Sequence, residues 1–391
     1  MTTRPLLVVS ALAIAACSAP AQNAPASDED LTPDLSSVPD RPAPVKSDAA
    51  LDAECQAGTT SACAELGRRW VDSEEPARTK QGIDLLERTC NQHDAAACFY
   101  LGNVWRDGAV VDRNPSRAAQ RYDEGCQAGS ALACHALADL VASGDLKTPD
   151  PARAAALDRK ACDLEPRLCL YYAFRLHEGL GVAKDAAAAG RLYDKSCAAG
   201  DGVACHRFAE LLTTGDGVRK DVRRALTLFG QSCHGGTSAS CANLGLVYLQ
   251  GDLGVAADPP RGVKLLDRAC NLGNAIGCAN LGAVTEQGLG GLRTDLAHAA
   301  QLYDKSCTDG ALNGCTFLGV MLVRGKGAKQ DANRANELFL KACDGGYGPG
   351  CTWLAASYTD GVGVTADRSR ARALLRRACD LGERAGCDAV R

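Results

Sequence analysis

Cysteine spacing is the feature that most constrains the fold of this chain. Twenty of its 21 cysteines fall into ten pairs, and successive pairs begin 35 to 37 residues apart. Nine pairs have seven residues between the two cysteines, and Cys162/Cys169 has six. A fixed period of this length is typical of a solenoid, in which one supersecondary unit repeats and stacks on its neighbours. The repeat therefore overrides the two or three separate domains that 391 residues would otherwise suggest.

The residues that follow the second cysteine of each pair have the spacing of a helix, which we call helix A. Three residues after that cysteine, at position +3, the side chain is Leu in seven of nine copies and Tyr or Phe in the others. Position +4 is always Gly or Ala, and position +7 is large in most copies. Spacings of three, four and seven residues define one helix face, and the small residue at +4 lets a second helix approach closely. Gly at +10 in eight of nine copies predicts the end of helix A.

A second helix, helix B, is predicted to end at the first cysteine of each pair. An aspartate such as Asp185 or Asp367 stands where it would cap the start of helix B, and most copies end in Cys-x-x-Gly. Each unit is then helix A, a Gly-rich turn, helix B and another turn. We predict an all-α solenoid of nine full units between Cys63 and Cys379. A partial helix B (Asp48 to Cys55) precedes them, and a short piece of helix A (Cys387 to Arg391) follows.

Two interpretations of the paired cysteines compete, a metal site and a disulfide. A zinc site is disfavoured because the spacing within each pair is wrong and the six histidines are scattered along the chain. Disulfides are favoured because the end of helix B and the start of the next helix A face each other across a tight turn. So many cysteines are also typical of an oxidising compartment. We therefore predict no metal and no cofactor. The predicted disulfides are Cys55-Cys63, Cys90-Cys98, Cys126-Cys134, Cys162-Cys169, Cys197-Cys205, Cys233-Cys241, Cys270-Cys278, Cys307-Cys315, Cys343-Cys351 and Cys379-Cys387.

Three elements of the repeat resemble those of a known family. Leu-Gly-x-x-Tyr, Gly-x-Gly-Val-x-x-Asp and Ala-x-x-Leu-Tyr-x-Lys-Ala-Cys are similar to Sel1-like repeats, which are related to tetratricopeptide repeats. The paired cysteines narrow the resemblance to the Helicobacter cysteine-rich protein family and its secreted Sel1-like relatives. The resemblance covers residues 47–391 and implies a helical repeat scaffold. It says little about function, because such scaffolds host many functions.

The N-terminus predicts export. One basic residue, Arg4, precedes an apolar run from Leu6 to Ile14, and small residues follow. This pattern is typical of a secretory signal peptide, which we assign to residues 1–16. The string Ile14-Ala15-Ala16-Cys17 resembles the lipobox of bacterial lipoproteins, and that resemblance implies cleavage before Cys17 and a lipid on its sulfur. An ordinary cleaved signal peptide is the alternative.

Residues 17–46 are predicted to be a disordered tether. They are rich in Pro, Ala, Ser and Asp and have almost no large apolar side chains, so they cannot bury a core. The predicted organisation is a signal peptide (1–16), the lipidated Cys17 with its tether (17–46) and the solenoid (47–391). We expect a chain exported across the inner membrane and held in the cell envelope by the lipid on Cys17. Ser18, rather than Asp, favours the outer membrane by the same resemblance.

Helix A lines the concave face in repeats of the resembling type, so its exposed positions are the candidate ligand contacts. Positions +1 and +5 are mostly polar or aromatic in the early units and become bland from the sixth unit onward, and position +8 has Arg106, His177 and Thr213 in early units. Asn243 and Asn280 share position +2 and resemble asparagines that hold a peptide backbone in related repeats. Solvated helix faces that simply vary are the alternative. The candidate groove residues are Phe99, Asn103, Arg106, His135, Asp139, Phe174, His177, His206, Glu210, Asn243 and Asn280.

The pairs His135/Asp139 and His206/Glu210 have the i, i+4 spacing of metal ligands on one helix face. Adjacent repeats stand roughly 10 Å apart, so the two pairs cannot share one ion. We therefore expect these histidines to be exposed or to cap helices, without a catalytic role. The formal net charge of −4 argues against a nucleic-acid partner.

Three functions remain open from the sequence. The favoured one is a binding module whose concave groove takes a protein segment or a cell-wall peptide. The second is a penicillin-binding or β-lactamase-like hydrolase, an activity linked to the resembling family. The chain has none of the motifs Ser-x-x-Lys, Lys-Thr-Gly, Gly-x-Ser-x-Gly or His-Glu-x-x-His, so enzyme activity is not expected. The third function is a structural spacer in the envelope.

Overall fold

The computed structural model describes residues 46–73 and 75–390. In this part of the chain all regular structure is helical, with twenty α-helices and no strand. The sequence predictions for residues 1–45, including the signal peptide and Cys17, lie outside the described residues. The helices are α1 Asp48–Gln56, α2 Thr60–Val71, α3 Pro76–Asn91, α4 Ala95–Asp107, α5 Pro115–Gln127, α6 Ala131–Ser143, α7 Pro151–Leu164, α8 Cys169–Glu178, α9 Ala186–Ala198, α10 Gly202–Thr214, α11 Val222–His234, α12 Ser238–Gln250, α13 Pro259–Asn271, α14 Ala275–Gln287, α15 Leu296–Thr308, α16 Leu312–Arg324, α17 Ala332–Asp344, α18 Gly348–Asp360, α19 Arg368–Asp380 and α20 Arg384–Val390.

The helices alternate as the repeat predicts. Even-numbered helices are helix A and odd-numbered helices are helix B, which gives nine A–B units from α2 to α19 within the described residues. A lone helix B, α1, precedes them, and the short helix α20 follows. Each helix A packs most extensively against the helix B that follows it in the chain. The all-α solenoid is therefore confirmed. None of the described helices is both long and apolar enough to cross a membrane.

Close packing of A on B explains the small residue at +4. A Cβ built on Gly102 of α4 would overlap the ring of Tyr122 on α5, and one on Gly319 of α16 would overlap Phe339 on α17. The ring in each case lies four residues before the cysteine of helix B, at a position we call −4. Tyr122, Phe339 and their counterparts Tyr193 and Tyr303 are among the largest fully buried side chains. The contact between the small residue at +4 and the side chain at −4 therefore lies at the centre of the A–B unit, and in the units of Gly102, Gly282 and Gly319 it joins a glycine to a ring.

The predicted helix ends are present. Glycines at +10, such as Gly108 and Gly361, follow helix A with the positive φ that ends a helix in the left-handed conformation. Aspartates such as Asp185 and Asp331 cap helix B, each accepting a hydrogen bond from a backbone N–H three residues later. Because these caps repeat, successive units keep the same A–B geometry.

All ten predicted cysteine pairs in the described residues are joined as disulfides. Each connects the last turn of a helix B to the first turn of the next helix A. The Cα–Cα distance is 4.2 Å for Cys162–Cys169 and 4.5 to 4.7 Å for the others. The shorter loop of Cys162–Cys169 contains a 3₁₀ turn, Pro166–Leu168. The other disulfide loops have a turn with Gly at positive φ, except that of Cys90–Cys98, where His93 takes this place.

The array curves with the helices A on its inner side. Successive helices A contact one another directly from α2 to α6 and from α12 to α20. Among the described helices B, α3 and α5 also contact each other directly, and the other successive helices B make weaker contacts. The closer spacing of helices A places them on the concave face. Between α6 and α12 the helices A also contact one another less. We call the helices α6 to α12 the open segment.

Candidate ligand groove

A cavity of about 240 Å³ lies between the helices A α8 and α10 of the open segment. It is formed by α8, α9 and α10, together with the loop that follows α10. Three predicted groove residues, Phe174, His177 and Glu210, line it together. The aromatic ring of Phe174 is 43% exposed, so it is available to a ligand. The other lining residues are Glu178, Tyr193, Arg207, Leu211, Thr214 and Asp216.

The imidazole of His177 lies between two carboxylates at one side of the cavity. Its Nδ1 is 3.0 Å from Oε1 of Glu178, and its Nε2 is 3.0 Å from Oδ2 of Asp216. Asp216 belongs to the loop after α10, so this contact ties neighbouring units together.

On the other side of the cavity, both carboxylate oxygens of Glu210 have a partner. Its Oε1 is 3.3 Å from Nε2 of His206, and its Oε2 accepts a hydrogen bond of 3.0 Å from Nη1 of Arg207. Burial by itself raises the pKa of the Glu210 carboxyl, but the hydrogen bonds and charges of His206 and Arg207 outweigh it, so that the pKa lies below its ordinary value. Glu210 is therefore an ionised group whose oxygens already have partners.

Tyr193 belongs to helix α9 and is almost fully buried at the cavity. Burial raises the pKa of its phenol to about 12, and the charges of Glu178 and Glu210 add to this effect, opposed by Arg207. The hydroxyl is therefore protonated at neutral pH. Sequence reasoning did not select Tyr193, because it searched helix A alone for ligand contacts.

His206 does not lie on the solvated face that the i, i+4 pattern suggested. It is 6% exposed, and its Nδ1 is 2.9 Å from Oγ of Ser240 on α12. The expectation that this histidine is exposed or caps a helix was wrong, because the neighbouring helix A covers it. It positions Glu210 from beneath the groove.

His135 is also held by a buried group that the sequence analysis did not consider. Its Nδ1 is 2.8 Å from Oδ1 of Asp158 on α7, and its ring stacks on Tyr171 with centroids 3.5 Å apart. Its contact with Asp139 is longer, at 3.5 Å. Asp158 is 1% exposed and also pairs with the buried guanidinium of Arg175 on α8. Here too the expectation of an exposed or capping histidine was wrong.

Asp158 occupies position −4 of its helix B. Every other described helix B through α19 has Leu, Tyr or Phe at this position. Aligning the residues before the first cysteine of each pair would have revealed this exception, but only the residues after the second cysteine were aligned. The polar cluster of His135, Asp158 and Arg175 is therefore a departure from the repeat inside the open segment.

The remaining predicted groove residues lie outside the cavity. Asn103 accepts a hydrogen bond of 2.6 Å from the hydroxyl of Tyr122, and Arg106 donates to Asp107 over 2.7 Å. Phe99 is half-buried and packs near the ring of Tyr122. Asp139 is exposed on α6, and Asn243 and Asn280 are half-buried on α12 and α14.

A second, more open cavity of about 400 Å³ is lined mainly by the helices B α7 and α9. Arg159, Arg191 and Lys195 border it together with Asp163 and Asp185. Because these five residues are exposed and carry charges of both signs, this cavity has the character of a solvated surface.

Among the described residues, one group of three side chains has the spacing of a metal site. It consists of Cys90, Cys98 and Glu124. The two sulfurs are joined in a disulfide and so are not available as thiolate ligands.

Comparison with known proteins agrees with the fold. The family model of the Sel1 repeat matches residues 95–130, 131–165, 166–201, 202–236, 238–274, 275–310, 313–347 and 348–383. Each match covers one A–B unit, and the unit of α2 and α3 is not among them. No curated protein matches the chain.

Solved structures of Sel1-repeat proteins share this architecture. A Sel1 repeat protein from Oxalobacter formigenes is 24% identical, with a TM-score of 0.60, over 78% of this chain and 89% of its own. A protective antigen with this fold from uropathogenic Escherichia coli is 20% identical, with a TM-score of 0.50, over 88% of this chain and 90% of its own. Cysteine rich protein B of Helicobacter pylori is 29% identical, with a TM-score of 0.28, over 36% of this chain and 99% of its own. With eight repeats matched across most of its length, the chain belongs to the Sel1-repeat family.

Proposed function

We propose that the chain is an envelope-anchored binding module whose concave face takes up an extended protein segment or cell-wall peptide. The observation that carries this proposal is the cavity at Phe174, His177 and Glu210. It lies between the helices A α8 and α10, and it combines an exposed aromatic residue with hydrogen-bonding groups. A curved array of helices offers a long surface of this kind to an extended ligand.

The location forms part of the same proposal. The ten disulfides of the described residues suggest an oxidising compartment outside the cytoplasm. The proposed organisation is an export signal in residues 1–16, a lipid on Cys17 with its tether up to residue 46, and the solenoid from residue 47 onward. Metabolic labelling with radioactive palmitate tests the anchor. Label should enter the chain and be lost in Cys17→Ser, and an unlabelled native chain would reject the lipid.

Ligand binding is tested with a matched pair of variants. The chain from Ser47 onward is crosslinked to envelope fractions, and any captured partner is purified and titrated back onto the native chain, Phe174→Ala and Leu340→Ala. The control residue Leu340 lies on helix B α17 and is 47% exposed, similar to Phe174 at 43%. We expect saturable binding that Phe174→Ala weakens and Leu340→Ala leaves unchanged. Equal binding by all three chains would place the ligand elsewhere, and no partner at all would favour a spacer.

A further inference from the structure

We propose that the concave cavity accepts one basic side chain, Lys or Arg, of the bound segment. This inference rests on the proposed function and adds the chemistry of the residue that the cavity selects. The volume of about 240 Å³ is below the roughly 300–1,000 Å³ of pockets for drug-sized ligands. It therefore fits a single side chain better than a complete small molecule.

An exposed aromatic residue, Phe174, lies at the cavity, whereas the ring of Tyr171 stacks on His135 outside it. Among the described residues, the exposed large apolar side chains include two aromatic ones, Tyr171 at 37% and Phe174 at 43%. Both belong to α8 and lie one turn apart. An aromatic face attracts a cation through its quadrupole and packs against the methylene stem of Lys or Arg. The ring of Phe174 is placed to contact such a stem, because it lines the cavity itself.

The charged side chains that line the cavity are the second reason to expect a basic ligand residue. Glu178, Glu210 and Asp216 line the cavity against a single arginine, Arg207. That guanidinium already donates to Glu210. Glu178 and Asp216, in contrast, share the imidazole of His177. A carboxylate that is bonded to one imidazole nitrogen still has free acceptor capacity, so both Glu178 and Asp216 can accept a further donor from the cavity.

A cation is therefore favoured over the other classes of ligand group. An anion would meet three carboxylates and compete with Glu210 for Arg207. A neutral apolar side chain would contact Phe174 but would not use the remaining acceptor capacity of Glu178 and Asp216. A Lys or Arg side chain satisfies both features, with its stem on Phe174 and its charged end between Glu178 and Asp216. Such charge-assisted hydrogen bonds are among the stronger ones in proteins.

The first test is a selection from random hexapeptides displayed on phage, with the purified oxidised chain as bait. We expect Lys or Arg to be enriched at one position beside an apolar residue. Selected peptides without such enrichment, or with acidic residues instead, would overturn this inference and leave the proposed function standing. Failure to select any peptide that binds the concave face would count against both.

The second test uses an enriched peptide and its version with norleucine in place of the basic residue. Binding to the native chain should weaken by about tenfold or more with norleucine. Glu178→Gln combined with Asp216→Asn should weaken the basic peptide to a similar extent and should not weaken the norleucine peptide further. Additive losses would mean that the basic residue binds elsewhere.

A matched control keeps this result specific. Glu178 and Asp216 have side chains 46% and 50% exposed, so their isosteric replacement should preserve the fold, as checked by circular dichroism. The control variant combines Glu337→Gln and Asp304→Asn, which remove two exposed carboxylates from the helices B α17 and α15. It changes the net charge equally and should bind the basic peptide as the native chain does. If the control variant lost as much affinity for the basic peptide, the cause would be general electrostatic attraction, and the inference would be overturned.

Discussion

At the scale of single residues, Asp158 is the clearest departure from the repeat. It is buried at position −4, where the other described helices B through α19 have an apolar side chain, and it pairs with Arg175 and His135. Desolvating two charges costs free energy that their attraction only partly returns. The pair therefore adds little net stability, but each partner depends on the other.

This dependence predicts a non-additive result. Asp158→Leu leaves Arg175 buried without its carboxylate and should lower the free energy of unfolding by about 3–5 kcal/mol. Asp158→Leu combined with Arg175→Leu restores apolar packing and should be neutral, or stabilising by about 1–4 kcal/mol. Thermal unfolding of the oxidised chains followed by circular dichroism measures both. A double variant as unstable as the single one would show that Arg175 is not the group left unpaired.

Substituting two glycines that lie within helices, Gly102 and Gly230, shows the effect of side-chain packing on stability apart from the effect of helix propensity. Gly102→Ala places a methyl group against the ring of Tyr122 and should cost about 1–3 kcal/mol through overpacking. Gly230→Ala on α11 has open space around the new Cβ and should instead stabilise by about 1 kcal/mol, since Ala is the better helix former. Melting temperatures of the two variants should therefore move in opposite directions. A shift of the same sign would mean that the A–B contact at Gly102 relaxes freely.

The lowered pKa of Glu65 in α2 implies that the folded chain becomes less stable in acid. Hydrogen bonds from Arg68, and then from Arg69, lower the pKa of its carboxyl to about 2, although partial burial opposes them. Because the folded state lowers this pKa, the group contributes stability above its ordinary pKa of about 4.3, and that contribution disappears as pH falls toward 2. Native and Glu65→Gln chains should differ in melting temperature at pH 6 and converge near pH 2. Parallel curves would contradict the assignment.

At the scale of helices and turns, the unit depends on its disulfides. Each one closes a loop of about nine residues, and the chain-entropy model assigns it roughly 2.5 kcal/mol. The net stability of a folded domain is only about 5–15 kcal/mol, so losing many of these terms should be decisive. We expect reduction under native conditions to abolish most of the helical circular dichroism signal at 37 °C. A reduced chain that melted like the oxidised one would show that A–B packing suffices.

The same scale shows which features the sequence could predict. The cysteine period, the small residue at +4 and the glycine at +10 repeat in nearly every unit, so they determined the helices, the turns and the disulfides. The groove was predicted only in part, since Phe174, His177 and Glu210 meet at the cavity while Asn243 and Asn280 lie elsewhere. Tyr193 and the burial of His206 depend on how neighbouring units pack, which alignment within one unit does not contain.

At the scale of the whole molecule, the open segment joins these observations. The core cluster that includes Tyr122 extends to Leu168, and the next one begins at Ala173. The buried Asp158–Arg175 pair lies between them, and in the open segment the helices A contact one another less. A solenoid transmits stability only between neighbours, so a weak junction is not compensated from a distance. The cavity borders this junction, because Phe174 and His177 on α8 line it.

The weak junction predicts an uneven pattern of amide hydrogen exchange in the oxidised chain. Residues 151–178, which contain α7 and α8, should exchange faster than residues 259–324, which contain α13 to α16 and lie outside the open segment, because opening of α7 and α8 separates a charged pair at position −4 where the other units have apolar contact. Mass spectrometry of peptic fragments measures both regions. In Asp158→Leu combined with Arg175→Leu the two rates should become similar, since an apolar core then crosses the junction. Uniform exchange in the native chain would show that the junction of α7 and α8 is not weaker than the rest of the array. A difference that persists in the double variant would mean that the short Cys162–Cys169 loop, and not the charged pair, causes the faster exchange.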